Sequence, residues 1–252
     1  MRKLILILTL LMSTISCIQA QNDTVFFMKN GIIVYQKAVS EIDSILFYRP
    51  VVNPYGTFID PRDSTLYNTI LIGNQIWMVE NLAYLPSVSS PDLGSETSPH
   101  YYVNNFYGTD VPKAKLTCNY LDYGVLYNWP AAMTACPPGW HLPSNDEWIT
   151  LTTLLGSESL AGGKLKDTGT IFWNTPNTNA TNESGFTGLP GGMRDRYTPT
   201  FYHLGNYGYW WSSTEYTSST AKGRALYYNL SICEQNHHYK DYGLSIKCIM
   251  NQ

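Results

Sequence analysis

The stretch CPPGWHLPSNDEW, residues 136–148, puts a cysteine, a histidine and two carboxylates within thirteen positions. An imidazole acting as general base needs an acid or a nucleophile within hydrogen-bond reach. No cysteine or serine stands at a telling spacing from His141, which reads instead as a turn histidine bonded to backbone. His237 and His238 are adjacent, so an extended chain sends them to opposite sides and they do not share a metal. Asp60, Asp63, Glu147, Asp195, Glu215 and Glu234 are scattered rather than paired. The sequence contains no G-x-S-x-G, P-loop or H-E-x-x-H. No catalytic residue, metal ligand or cofactor is expected, and the chain reads as a non-enzyme.

Binding chemistry is better represented. From Phe186 to Tyr216 glycines interleave with aromatic residues, and Arg194, Asp195 and Arg196 add polar partners. Ring faces bury apolar surface while phenol hydroxyls keep hydrogen bonds, which suits sugars and peptides. Trp210 and Trp211 read first as core. Arg194, Tyr197, Tyr202, Tyr207 and Trp211 form the candidate ligand-binding set, with Arg194, Tyr202 and Tyr207 expected on one concave patch. The expected partner is a glycan or protein at the cell surface. A net charge of −3 without a basic stripe argues against nucleic acid. Asp23-Thr24-Val25, Asp43-Ser44-Ile45 and Asp63-Ser64-Thr65 resemble acceptor triplets for O-glycans.

The compartment is legible at the start of the chain. Arg2 and Lys3 precede an apolar run from Leu4 to Met12, then small and polar residues to Ala20. This is the pattern of a secretory signal, expected over residues 1–20. The run is shorter than the roughly 20 apolar residues that span a bilayer. Cleavage after Ala20 is favoured; lipid modification of Cys17 is the alternative, although the leucine usual three places upstream is missing. The chain is therefore expected to be exported: extracellular, at the cell surface or periplasmic. It would touch a membrane only through a lipid anchor, in the outer membrane. Cys118, Cys136, Cys233 and Cys248 remain, an even count that suggests two disulfides in one of three connectivities.

The elements that must hold these residues are short. Residues 21–53 read as a small β segment, with TVFFM and IIVYQ hairpinned around Lys29-Asn30-Gly31 and DSILFY as a third strand. Residues 54–252 form the main domain. A strand ends near Ile72, turns at Gly73-Asn74 and returns through Trp77. Tyr84 to Lys115 shows no period and reads as an ordered surface excursion. LYNWPAAMTAC suits a helix stopped by Pro137-Pro138-Gly139. Ser144 and Glu147 make a capping box for a second helix carrying Trp148, Leu151, Leu154 and Leu155, ended by Gly156. Beyond Gly169 strands and loops follow, with GRALYYNLSIC and YGLSIKCIM closing the fold on either side of Glu234–Asp241. The expected class is α+β, with two short helices, antiparallel strands and long loops.

Five blocks in order, DPRDSTLYNTILIGNQIWMVENLAY, YGVLYNWPAAMTACPPGWHLPSNDEW, GFTGLPGGMRD, GYWWSSTEY and GLSIKCIM, resemble the major paralogous domain first described from Fibrobacter succinogenes. The resemblance runs from about Phe58 to Met250. Residues 23–50 resemble a β segment found ahead of such domains in exported proteins. The family looks like a relative of the C-type-lectin-like fold, distantly related to formylglycine-generating enzymes. The resemblance implies a bond between Cys136 and Cys248, closing a loop of roughly 110 residues worth on the order of 4–5 kcal/mol. It leaves Cys118 and Cys233 as the second pair. The calcium-ligating triplets E-P-N, Q-P-D and W-N-D are missing, as is the cysteine pair that holds copper in the oxidases. The implied function is a non-catalytic surface binding or adhesion module. A structural subunit of a surface assembly, with residues 23–50 as docking strands, is the alternative; a formylglycine-generating-type enzyme is the least favoured.

Overall fold

The computed structural model describes residues 24–29, 32–38 and 54–251. The chain divides into two compact units, Met1–Val51 and Val52–Gln252. In the first, β1 (Thr24–Lys29) pairs antiparallel with β2 (Ile32–Ala38). That is the expected hairpin, with a register shift between Phe27 and Met28. The signal, Cys17, the Asn30-Gly31 turn, DSILFY and the Asp43 triplet lie outside the described residues.

The second unit is α+β. Strands β3 (Tyr55–Ile59), β4 (Leu66–Ile72) and β5 (Gln75–Met78) form a meander. Gly73 supplies the turn between β4 and β5 with φ +67°, a conformation that costs glycine nothing. The sheet continues through β14 (Ile249–Met250) to β8 (Trp140–His141), in the order β3-β4-β5-β14-β8. The end of the domain is thus inserted between its beginning and its middle. A second sheet, β11 (Tyr207–Thr217), β12 (Thr220–Tyr227) and β13 (Cys233–Tyr239), is antiparallel throughout. Two small ribbons pair β6 (Tyr101–Tyr102) with β7 (Leu126–Tyr127), and β9 (Met193–Arg194) with β10 (Phe201–Tyr202).

The described residues form five short helices rather than the two expected: α1 (Val111–Lys115), α2 (Cys118–Tyr123), α3 (Trp129–Ala135), α4 (Asn145–Leu154) and α5 (Glu158–Leu165). The expected pair are α3 and α4, and the Ser144–Glu147 capping box closes as read from sequence. Helices α1 and α2 are too short to show a period; they are set by their caps, Asp110 and Thr117. Helix α5 hides behind Gly162 and Gly163, which look like breakers. A Cβ on Gly162 would lie 2.2 Å from the Ile232 carbonyl oxygen, so this glycine is what lets the helix lie against the chain entering β13.

The expected Glu234–Asp241 spacer is also corrected, because most of it is β13. This is an outer strand of its sheet, and its polar residues leave no hydrophobic alternation to read. The excursion at 84–115 is held from behind by Asn128, whose amide donates to the carbonyls of Ser95 and Ser98 at 2.8 and 2.7 Å. Phe106 packs against the core as a partly buried residue.

Both faces of the β11–β13 sheet are covered around Trp210 and Trp211. Tyr209, Trp211, Ala221 and Ala225 join a core with Tyr67, Met78, Tyr127, Ile246 and Cys248. Trp210, Leu226 and Cys233 join another with Trp77, Trp148, Phe186 and Ile249. A strand buried on both sides carries consecutive large apolar residues, which accounts for the Trp210-Trp211 pair.

Cys136 and Cys248 are disulfide-bonded. The second expected bond is not formed. Cys233 is buried in a core while Cys118 is exposed at the start of α2, and both are free thiols among the described residues.

Candidate functional site

The 136–148 corner is a structural knot. His141 Nε2 lies 2.8 Å from Glu147 Oε1, and Nδ1 lies 2.6 Å from Asn251 Oδ1. Its ring partners are therefore side chains, not the backbone expected from sequence. Glu147 Oε2 accepts from the Ser144 amide at 2.7 Å and the Ser144 hydroxyl at 2.9 Å. Burial pushes the Glu147 carboxyl up, but the hydrogen bonds from Ser144 and His141 outweigh it and hold it below its ordinary range. Serine, histidine and carboxylate meet here with the carboxylate in the middle. The imidazole cannot activate the hydroxyl from that position, and the hydroxyl itself caps α4.

The candidate binding residues separate. Arg194 is buried and donates from Nε and Nη2 to the Pro91 carbonyl at 2.9 and 2.5 Å, and from Nη1 to the Asp241 carbonyl at 2.9 Å. Trp211 is buried, its indole donating to the Tyr127 carbonyl at 2.7 Å. Tyr207 is half-buried among His203 and Tyr227, with ring centroids 4.5 and 4.9 Å away. Tyr202 and Tyr197 are exposed. The concave patch of Arg194, Tyr202 and Tyr207 is thus corrected. Phe201, not Tyr202, stands opposite Arg194 in the β9–β10 ribbon, so Tyr202 emerges on the other face. Arg194 and Trp211 are buried and tie segments of the fold together through backbone carbonyls.

Around Tyr197 the surface acquires Tyr239 and Glu96, which sequence did not single out, beside the expected Asp195 and Arg196. The Arg196 guanidinium lies 3.9 Å from the centroid of the Tyr239 ring and 5.2 Å from that of Tyr197. Its nitrogens lie 3.5 Å from carboxylate oxygens of both Glu96 and Asp241. Asp195 Oδ2 accepts from the amides of Tyr197 and Thr198 and from the Thr198 hydroxyl, fixing the loop that carries Tyr197. Thr198 reaches the Tyr202 hydroxyl at 3.0 Å. Farther along β13, His237 stacks on Tyr216 with ring centroids 4.3 Å apart and planes at 28°. Once residues 233–239 are known to be a strand, alternation alone puts His237 and Tyr239 on one side. That is the signal the sequence carried.

Two buried lysines brace the loops. Lys166 Nζ donates to the carbonyls of Thr178, Tyr227 and Leu230, each at 2.9 Å. Lys247 Nζ donates to those of Val79, Phe186 and Thr187. Burial pulls their titration down, to about 8 for Lys166 and about 7 for Lys247. Among the described residues no group of three or more His, Cys, Asp or Glu is placed to hold a metal ion, and no helix is long and apolar enough to cross a membrane.

The family model of the Fibrobacter succinogenes major domain matches residues 70–250. The chain belongs to this family. No curated protein and no solved structure matches the chain. The matched Fibrobacter succinogenes major domain begins within β4 and ends in β14, so it contains the Cys136–Cys248 bond, both lysine braces and the Arg196 surface. Strand β3 lies just ahead of it.

Proposed function

We propose that this protein is an exported, non-catalytic binding or adhesion module of C-type-lectin-like architecture that presents its 170–240 loops to a glycan or protein at the cell surface. The carrying observation is the exposed pair of Tyr197 and Tyr239 around Arg196, with exposed Tyr202 joined to the same loop through Thr198. Aromatic rings with polar tips, set on a loop that Asp195 holds in place and on strand β13, can bind with little ordering cost. The C-type-lectin-like reading is supported by a bond from a helix end to the last strand region, between Cys136 and Cys248. Export is supported by that same disulfide, since such bonds persist outside reducing compartments. Glycan-array and pull-down screening of the mature protein tests the proposal. Specific retention of one glycan or protein class is expected; repeated null results with a folded sample overturn it.

A second reading, a structural subunit of a surface assembly, draws on β1 and β2. Two strands alone are marginal in water and gain from pairing with more chain. Self-association lost on deletion of residues 23–50 would favour it.

A further inference from the structure

We infer that the outer face of β13, with the rings of Tyr216, His237, Tyr239 and Tyr197, is a binding strip for an uncharged polysaccharide chain. The inference rests on the binding-module reading and names its ligand class.

Strand β13 is an outer strand of the β11-β12-β13 sheet. Its odd-numbered residues share one side, by the two-residue period of a strand. That side begins buried, at Cys233. Past this residue it is uncovered, and Gln235, His237 and Tyr239 are all exposed. The even-numbered side differs: His238 packs against the rings of Tyr209, Trp211 and Tyr242. The sheet therefore turns polar-tipped rings outward along one line while its inner face belongs to the core.

The exposed rings are held, not loose. Tyr216 stacks on His237 with the planes inclined by 28°, so the two act as one platform. Tyr239 is flanked by Arg196 and met edge-on by Tyr197, at 6.4 Å between centroids and 83° between planes. His237 and Tyr239 are two residues apart on the strand, roughly 6.5 Å, a spacing on the scale of one sugar unit. Rings set along a line suit a chain of sugars better than a single one. The C–H face of a pyranose buries on a ring as other apolar surface does, and its hydroxyls can pair with Gln235, the imidazole and the phenols.

Charge selects the uncharged class. The cations beside the strip are Arg196, Lys222, Arg224 and Lys240: Lys222 and Arg224 stand opposite His237 and Gln235 in the strand register, and Lys240 follows Tyr239. Arg196 is already faced by Glu96 and Asp241. Lys240 is paired with Glu215 and Arg224 faces Glu158, so four cations against four carboxylates leave no net field to attract a phosphate, an acidic polysaccharide or an anionic lipid surface.

The test titrates the mature chain with uncharged β-glucan, α-glucan, xylan, mannan and galactan oligosaccharides of two to six units. Tyr216→Ala, Tyr239→Ala and the double variant are titrated in parallel, with circular dichroism checking the fold. Leu116→Ala, exposed at the end of α1, is the control. The expected result is binding to one of these series that tightens with chain length and is insensitive to salt. Each single substitution should weaken it about five- to tenfold, the double should abolish it, and the control should leave it unchanged. Three outcomes overturn the strip: a glycan or protein bound equally by the double variant, binding confined to charged glycans, or no binding to any uncharged series. The first two leave the binding-module reading standing. A folded protein that also retains nothing on arrays or in pull-downs removes both.

Discussion

Cys136, at the C-terminal end of α3, is bonded to Cys248, just ahead of β14, across a sequence separation of 112. The bond holds the helix corner to the strand that completes the first sheet. In the chain-entropy model a loop of this length removes on the order of 4–5 kcal/mol of freedom from the unfolded chain. The variant with both cysteines changed to alanine should lose about 3–5 kcal/mol in urea unfolding. An unchanged midpoint would show that the corner is held by packing alone.

Glu147 joins the cap of α4 to His141. Its folded titration lies below the unfolded value, so it contributes stability above the unfolded carboxyl range and loses it as pH falls through the folded one. Glu147→Gln should cost about 1 kcal/mol at pH 7, the usual worth of a helix cap. It should also flatten the acid side of the stability profile. Thermal unfolding between pH 3 and 7 reads both effects.

His238 is surrounded by the rings of Tyr209, Trp211 and Tyr242, and its Nε2 is buried without a hydrogen-bond partner. Burial, with a smaller push from neighbouring His237, lowers its titration to about 4. An unfolded histidine takes up its proton below about pH 6.5. Between that value and 4 the unfolded chain binds more protons, so stability falls as the solution becomes more acid. His238→Phe should remove on the order of 2 kcal/mol of this loss between pH 7 and 4.5. A variant as acid-sensitive as the parent would place the loss on other groups.

Lys166 gathers two loop carbonyls, of Thr178 and Leu230, and that of Tyr227 at the end of β12 onto one ammonium. Lys166→Met keeps the length of the stem and strands the acceptors, at about 1–3 kcal/mol for each that stays buried. The expected result is a loss of roughly 3 kcal/mol, with faster amide exchange around Thr178 and Leu230 than in β4 and β5. Uniformly faster exchange would mean that the lysine supports the whole domain instead of the loops.

Much of the architecture is written in short-range chemistry. The Ser144–Glu147 box, the Gly73 turn and the Pro137-Pro138-Gly139 stop each depend on residues a few positions apart, and each forms where expected. The five ordered blocks likewise point to the family that the chain belongs to. Other features depend on what a residue meets across the fold. Arg194 looks like a surface cation until Pro91 and Asp241 are found around it. Trp211 looks like a candidate ligand contact until both sides of its strand are seen to be covered at that point.

The sequence by itself determined where helices are capped, where the chain turns and which family it joins, because those signals act within a few residues. Only the tertiary structure decided that Cys118 and Cys233 stay apart, that Lys166 and Lys247 lie inside, and that β13 turns its rings outward. Burial and partnership are set by segments a hundred residues distant, and no local spacing encodes which of them arrives.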